Sequence, residues 1–384
     1  MSLQTGHLHA YTATEVREEV RSALRRDESI RVAGNGTWLD AGRPVRAERV
    51  LSVDALAGVV NYVPGDFTIT VRAGTELQVI ADAAAKERQW LPLDPFGSRT
   101  GTVGATIATG SFGPLAHAFG TPRDHVLGLR VVTGTGNLLT VGGRVVKNVA
   151  GFDLTRLFTG SWGTLGVITE ATLRLRALPE VDESYTLAVD SDPQVLDAQL
   201  RALATAPITP YAVELLNPAL AKHLDVGIDT TILVRLSGNA ESVRAQRNAL
   251  SRLNTVRPAN PGIWSAFRAC EPARALVVRF ARRPSHLGDL WRNAIRRVAG
   301  GLVHASVGRG IVRCITSDAD WSELTGEMWW APGSAIVERG GEAAHRLTVP
   351  QDASAAVRAR ISERVKNVFD PSNILNPGIM GDVQ

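Results

Sequence analysis

Pro95-Phe-Gly-Ser-Arg-Thr-Gly-Thr-Val-Gly-Ala-Thr-Ile-Ala-Thr-Gly-Ser-Phe-Gly-Pro114 is the run on which the reading of this chain turns. Glycine recurs at positions 97, 101, 104, 110 and 113 among threonine, serine and alanine. Such a backbone turns through positive φ and lets another group come close to its N–H donors. Successive N–H groups form a concavity for anions, which suits a diphosphate that needs no lysine. The run therefore predicts a nucleotide cofactor held by backbone. A second small-residue passage, Gly160-Ser-Trp-Gly-Thr-Leu-Gly-Val-Ile-Thr169, closes the same region.

Working outward, 384 residues suffice for two domains, and 44% hydrophobic residues with mean hydropathy near zero describe an ordinary globular chain. No apolar run approaches the length of a membrane span, and the N-terminus lacks the basic-then-apolar order of a signal peptide, so a cytoplasmic location is expected. Cys270 and Cys314 are the only cysteines, too few for the four thiolates of an iron–sulfur cluster. Any such cluster belongs to a partner. The net charge of +4 is carried by arginines interspersed with carboxylates, a pattern that argues against a nucleic-acid surface and suits small acidic molecules.

Before the glycine-rich run, residues 14–26 place Val16, Val20, Ala23 and Leu24 on one helical face, with Thr14 as the expected N-cap. Ile30 to Gly34 reads as a strand entering the loop Gly34-Asn-Gly-Thr-Trp38. Strands are expected at 50–53 and 68–71, then a helix over 76–86. After the run come strands at 124–133 and 138–141 joined by Gly134-Thr-Gly-Asn137, a short helix 154–158 capped by Asp153, and a strand at 167–176.

Around 180–192 the texture turns acidic and polar, which marks a domain boundary. Beyond it the chain reads as strand 185–189, helix 193–204, strands 212–216 and 231–236, and helix 241–253. Strands are expected again at 275–280, 301–306, 311–316 and 334–338, and a long helix at 354–369. Helices on one face of a mainly antiparallel sheet explain this order, and no internal repeat is visible in the residues.

Four passages in register carry a family resemblance. They are Gly34-Asn-Gly-Thr with Gly42-Arg-Pro44; Gly101-Thr-Val-Gly-Ala with Gly113-Pro and Arg123-Asp; Lys147-Asn-Val-Ala-Gly-Phe-Asp-Leu154 through Gly163-Thr-Leu-Gly-Val-Ile168; and Phe369-Asp-Pro-Ser-Asn-Ile-Leu-Asn-Pro-Gly378. With these the chain resembles the vanillyl-alcohol-oxidase (PCMH-type) FAD-binding oxidoreductases, and among them the FAD-binding subunits of glycolate oxidase. The resemblance implies an α+β fold: a PCMH-type FAD-binding domain over 1–180, a central antiparallel-sheet (ferredoxin-like) substrate or cap domain over 181–350, and a segment 351–384 that returns to the FAD domain.

The resemblance also implies a cofactor site. Gly34, Asn35, Gly36 and Thr37 form one loop on FAD. Asp94, Pro95, Gly101, Thr102, Gly104, Ala105, Thr109 and Gly110 form a second, and Gly163, Gly166, Val167, Ile168 and Asn376 complete it. Some relatives tether the flavin through a histidine of the first loop. No histidine or cysteine lies between His9 and His117 here, so bound FAD is expected to be noncovalent.

Oxidation of a 2-hydroxy acid needs a cation for the carboxylate, a base for the hydroxyl proton and the flavin as hydride acceptor. His304-Ala-Ser-Val-Gly-Arg-Gly-Ile-Val-Arg313 resembles the segment where catalytic relatives carry metal-binding histidines and an aspartate. Arg309 and Arg313 stand in place of ligands, and guanidinium has no lone pair for a cation, so no metal is expected. Either His304 is the base while Arg309 or Arg313 grips the carboxylate, or catalysis is lost and the chain carries FAD for structure or electron transfer. Arg279 and Glu338 either pair with each other or face the same cavity. Lys147, Asn148 and the tryptophans 321, 329 and 330 complete the residues of interest. The resemblance further implies a paralogous FAD subunit and an iron–sulfur subunit as partners, with membrane association only through them.

Overall fold

The first helix, Ala13–Arg26, begins two residues earlier than a Thr14 cap would start it, because Thr12 caps it instead. Thr12 Oγ1 accepts from the Glu15 N–H at 3.1 Å, and the Glu15 carboxylate accepts from the Tyr11 N–H at 2.7 Å. One orphan donor of the first turn and the N–H of the residue just before the cap are thereby satisfied. The same stripe of Val16, Val20 and Ala23 that marks the helix in the sequence is buried against Ile30, Leu51, Val132 and Val167.

The computed structural model describes residues 6–45, 47–143, 153–190, 192–298, 300–317, 324, 335–340 and 355–380. Two units emerge: Met1–Phe112, Gly120–Leu178 and Ala353–Gln384 make the first, Gly113–Phe119 and Pro179–Asp352 the second.

In unit 1 the strands in chain order are β1 (Gly6–His9), β2 (Ile30–Ala33), β3 (Arg49–Ser52), β4 (Val59–Val63), β5 (Thr68–Arg72), β6 (Gln89–Trp90), β7 (Val126–Thr133), β8 (Leu138–Gly142), β9 (Gly166–Arg174) and β10 (Arg176–Ala177). A parallel sheet has the order β1-β3-β2, an antiparallel one β4-β5-β9-β7-β8, and β6 pairs with β10. Helix Leu77–Ala85 and helix Val103–Thr109 share a core with Ile69, Val71, Val131 and Leu173 of the antiparallel sheet.

The glycine-rich run is not open loop throughout, because residues 103–109 are helical. Thr102 starts that helix by accepting from the Ala105 N–H at 3.3 Å, and Gly110 ends it at φ 65. Gly104 is needed for contact: a Cβ there would lie 2.7 Å from the Ala73 methyl and 2.8 Å from its carbonyl oxygen. Small residues that suggest a cradle here also let a helix press onto a strand end.

Helix Ala355–Phe369 ends at Asp370, which is fully buried. Its carboxylate accepts from the N–H groups of Ile374 and Leu375 at 3.2 and 2.9 Å and pairs with Lys366 at 2.6 Å. Lys366 also donates to Thr164 O at 2.7 Å. The Asp-Pro-Ser-Asn turn is thus folded around one carboxylate, and it delivers Asn376 to the edge of β2.

Unit 2 holds β11 (Val181–Ala188), β12 (Ala212–Leu216), β13 (Thr231–Gly238), β14 (Val256–Pro258), β15 (Leu276–Ala281), β16 (Leu302–Ser306), β17 (Ile311–Thr316) and β18 (Ala335–Arg339) in one antiparallel sheet. Their order, β14-β11-β13-β12-β16-β17-β15-β18, is two ferredoxin-like halves back to back. Each half runs fourth, first, third, second strand outward-in, and the second strands, β12 and β16, meet at the centre. The seam centres on Leu215 opposite Ala305, so Glu214 and His304 occupy equivalent places in the two halves. Helices Pro193–Thr205, Ala240–Ser251 and Leu287–Arg297 pack their apolar residues into a core with one face of the sheet. The other face carries the polar residues.

Candidate functional site

β2 ends at Ala33, and the chain enters Gly34–Thr37 at the rim of a groove in unit 1. Its walls include Gly34, Asn35, Gly36, Thr37, Gly104, Ala105, Thr109, Gly163, Gly166, Val167, Ile168 and Asn376, so most of the expected cofactor residues come together. Gly36 has φ 76 and Gly163 φ 70, both in the left-handed region. A Cβ on Gly34 would lie 2.4 Å from Thr102 Oγ1. Among the described residues, the N–H groups of Gly34, Asn35 and Gly36 donate to no protein carbonyl. Backbone donors left over at the mouth of a groove fit a diphosphate.

The remaining expected residues stand behind that wall. Thr102 caps the Val103–Thr109 helix, Gly110 closes it, and Gly101 lies beside Thr37. Asp94 and Pro95 are buried and do not line the groove. Asn376 lines it, yet its amide is committed to the fold: Oδ1 accepts from the Val32 N–H at 2.8 Å and Nδ2 donates to Trp162 O at 2.7 Å. Sequence reasoning missed Arg31, Trp38, Trp162 and Ile379, which also line the groove. Neither histidine nor cysteine is among its described lining residues. Lys147 and Asn148, and the tryptophans 321, 329 and 330, lie outside the described residues.

In unit 2, strand alternation puts Glu214, His304, Arg313 and Arg279 on one face of adjacent strands β12, β16, β17 and β15. His304 is buried, its Nδ1 is 2.8 Å from Glu214 Oε2, and its ring meets Phe267 edge-on at 4.8 Å. Since a carboxylate oxygen accepts, Nδ1 carries a proton and a neutral imidazole keeps its lone pair on Nε2.

Arg313 is also buried, but between carboxylates: Nε donates to Glu338 Oε2 at 2.5 Å and Nη2 lies 2.7 Å from Glu271 Oε1. Arg279 Nε donates to Glu338 Oε1 at 2.6 Å, and Arg339 pairs with Glu271 at 3.1 Å. Arg279 and Glu338 therefore pair with each other, within a network of five charges. Burial alone would push the Glu338 carboxyl up; the charges of Arg313 and Arg279 overcome it and hold the carboxyl at about 2. Burial likewise opposes the charge of Arg313, and Glu338 and Glu271 together raise its pKa instead.

Arg309 sits on the turn Val307–Arg309, with Nη1 donating to Ala116 O at 2.7 Å. His117, next in sequence, is held below the usual histidine range by burial; the charge of Glu214 opposes that and the charge of Arg309 adds to it. His304, Glu214, His117 and Arg309 thus share one electrostatic neighbourhood.

Residues 7–142 match the family described as FAD binding domain. Glycolate oxidase subunit GlcE of Escherichia coli (strain K12) is 29% identical over 383 residues, covering 94% of this chain and 95% of that one. Glycolate oxidase subunit GlcD of Bacillus subtilis (strain 168) is 26% identical over 389 residues, covering 90% and 78%. Among solved structures, p-cresol methylhydroxylase with substrate bound superposes with a TM-score of 0.74 at 16% identity, covering 98% of this chain and 89% of that one. The fold is that of the PCMH type, and the chain carries an FAD-binding domain.

Proposed function

We propose, from the premise that this chain is related along its length to the PCMH-type FAD-linked oxidoreductases, that it is an FAD-binding subunit acting in the oxidation of glycolate or a closely similar 2-hydroxy acid. Bound FAD supplies the two-electron acceptor. Gly34–Thr37, Gly104, Ala105, Thr109 and Gly163–Ile168 hold it, the N–H groups of Gly34, Asn35 and Gly36 facing its diphosphate. With no histidine or cysteine among the described lining residues, it is held noncovalently. Gly101, Thr102 and Gly110 keep the shape of that wall, and Asn376 pins it to β2.

His304 takes the hydroxyl proton at Nε2 while Glu214 fixes its tautomer, as positioned bases require. Arg309, on the turn after β16, is the guanidinium for the substrate carboxylate, while Arg313 belongs to the charge network of Glu271 and Glu338. The observation that carries this reading is one chain holding both a glycine-walled groove and a buried His304–Glu214 pair.

A second reading, an FAD-carrying subunit without catalysis of its own, is favoured by the neutralised Arg313. Under either reading the partners are a paralogous FAD subunit and an iron–sulfur subunit, in a cytoplasmic complex that reaches the membrane through them. Among the described residues no helix is long and apolar enough to cross a membrane. The purified, FAD-loaded chain is mixed anaerobically with glycolate or D-lactate and its flavin absorbance followed. Catalysis predicts bleaching that slows at least ~100-fold in His304→Gln. No bleaching across a broad hydroxy-acid panel leaves the second reading, and a chain that takes up no FAD overturns both.

A further inference from the structure

Arg31, Trp38, Leu39, Trp162 and Ile379 form a contiguous part of the groove lining. Trp38 and Trp162 meet edge-on with centroids 6.3 Å apart. Trp162 has φ 56, a left-handed backbone that bulky residues rarely adopt. Three neighbours hold it there. Its N–H donates to Ala108 O at 2.7 Å, its carbonyl accepts from Asn376 Nδ2 at 2.7 Å, and Gly42 leaves room for the ring, since a Cβ there would come within 3.1 Å of the indole. Strain kept by so many supports points to a use for the side chain it places.

Arg31 lies on β2 just before the Gly34–Thr37 loop. Among the described residues no carboxylate pairs with it, and its guanidinium reaches Leu39 O only at 3.5 Å. Arg31 is part-buried, and burial lowers its pKa, as for a cation partly withdrawn from water without a counter-charge. That arrangement is costly until an anion completes it.

We infer that this part of the groove recognises the AMP half of the dinucleotide, with Trp162 offering the purine an aromatic face and Arg31 a charge for its phosphate. The inference rests on the FAD reading above and adds its selectivity: the chain prefers FAD to FMN because of these two side chains. Stacking of a base on an aromatic ring and a charge-assisted contact to phosphate are each worth on the order of tenfold or more in affinity.

Flavin-stripped full-length chain is titrated with ADP, FAD and FMN, following indole fluorescence and binding heat. ADP alone is expected to quench the fluorescence and compete with FAD. Trp162→Leu and Arg31→Gln should each weaken ADP and FAD about 10- to 100-fold while leaving FMN unchanged, Trp162→Phe should stay close to the parent, and Arg31→Lys should recover part of the loss. The Arg31 effect should shrink as salt rises. Circular dichroism checks folding, and should Trp162→Leu fail to fold, the Arg31 pair decides the matter. ADP affinities within about twofold of the parent in both variants, with FAD still bound, overturn the inference and leave the FAD reading intact. A parent chain that binds neither FAD nor ADP removes the FAD reading itself.

Discussion

The groove of unit 1 is walled by Gly34, Gly36, Gly104, Gly163 and Gly166, and Arg31 is the only lysine or arginine among its described lining residues. The polar face of the unit 2 sheet instead carries Glu214, Arg279, His304 and Arg313 on adjacent strands, with Glu271 and Glu338 closing on the arginines. Backbone donors bring no net charge into a buried place, so each can wait for a ligand at little cost. Charged side chains wait only at a cost, as the lone Arg31 does, and unit 2 satisfies its own with one another. One unit therefore depends on the absence of side chains, the other on the completeness of a set.

The largest test of that contrast is Arg313→Met. Removing the central cation leaves Glu271 and Glu338 buried without it, which should destabilise unit 2 by about 3–5 kcal/mol while unit 1 still takes up FAD. Calorimetry with a parallel flavin-content assay would show it, and an unchanged unit 2 transition would mean the network is not what holds the sheet face.

Acid should separate the units by pH window. His125 of unit 1 is buried and held at about 4, chiefly by burial; the charge of Asp124 opposes the shift, and Arg176 and Arg174 add to it. A histidine depressed in the folded state binds protons more readily when unfolded, so its contribution is whole above the unfolded value near 6.5 and is lost as pH falls toward about 4. Between pH 7 and 5 the loss should be about 2 kcal/mol. Glu338 acts lower: its contribution is present above the ordinary carboxylate range and goes as pH falls toward about 2. Denaturant midpoints at stepped pH, for the parent and for His125→Phe, would resolve the two. A flat profile from pH 7 to 5 in the parent would remove the His125 assignment.

The smallest expected effect is Gly104→Ala. The added methyl would meet Ala73, and overpacking of that kind costs about 1–3 kcal/mol, expressed as weaker FAD uptake with unit 2 unmoved. Full FAD affinity in this variant would show that the glycine marks helix packing alone.

How far the chain could be read from its residues follows the same division. Strands such as 212–216 and 311–316 stand where their apolar alternation puts them, because period two is a local property. The groove was legible because glycine is informative where it accumulates. Trp162 and Arg31 were not, since neither residue type signals a ligand until the fold has closed around it. The pairing of His304 with Glu214 joins residues 90 positions apart, and no spacing rule reaches that far. The doubled arrangement of the sheet left no repeat in the sequence either: strand order and alternating burial can recur with wholly different side chains. At the seam between the halves, the equivalent places hold a carboxylate in one and an imidazole in the other.

Asn376 reaches back 344 residues to the backbone of Val32. On a growing polypeptide this fixes an order of events, for every residue of unit 2 has been synthesised before the Asp370–Asn376 turn that pins unit 1. The earlier-begun unit is the later to be finished. Until then β2 lacks the contacts that seal its edge, and a ribosome that stops short of residue 370 would release a chain whose unit 2 is complete and whose unit 1 still waits for a chaperone or a protease.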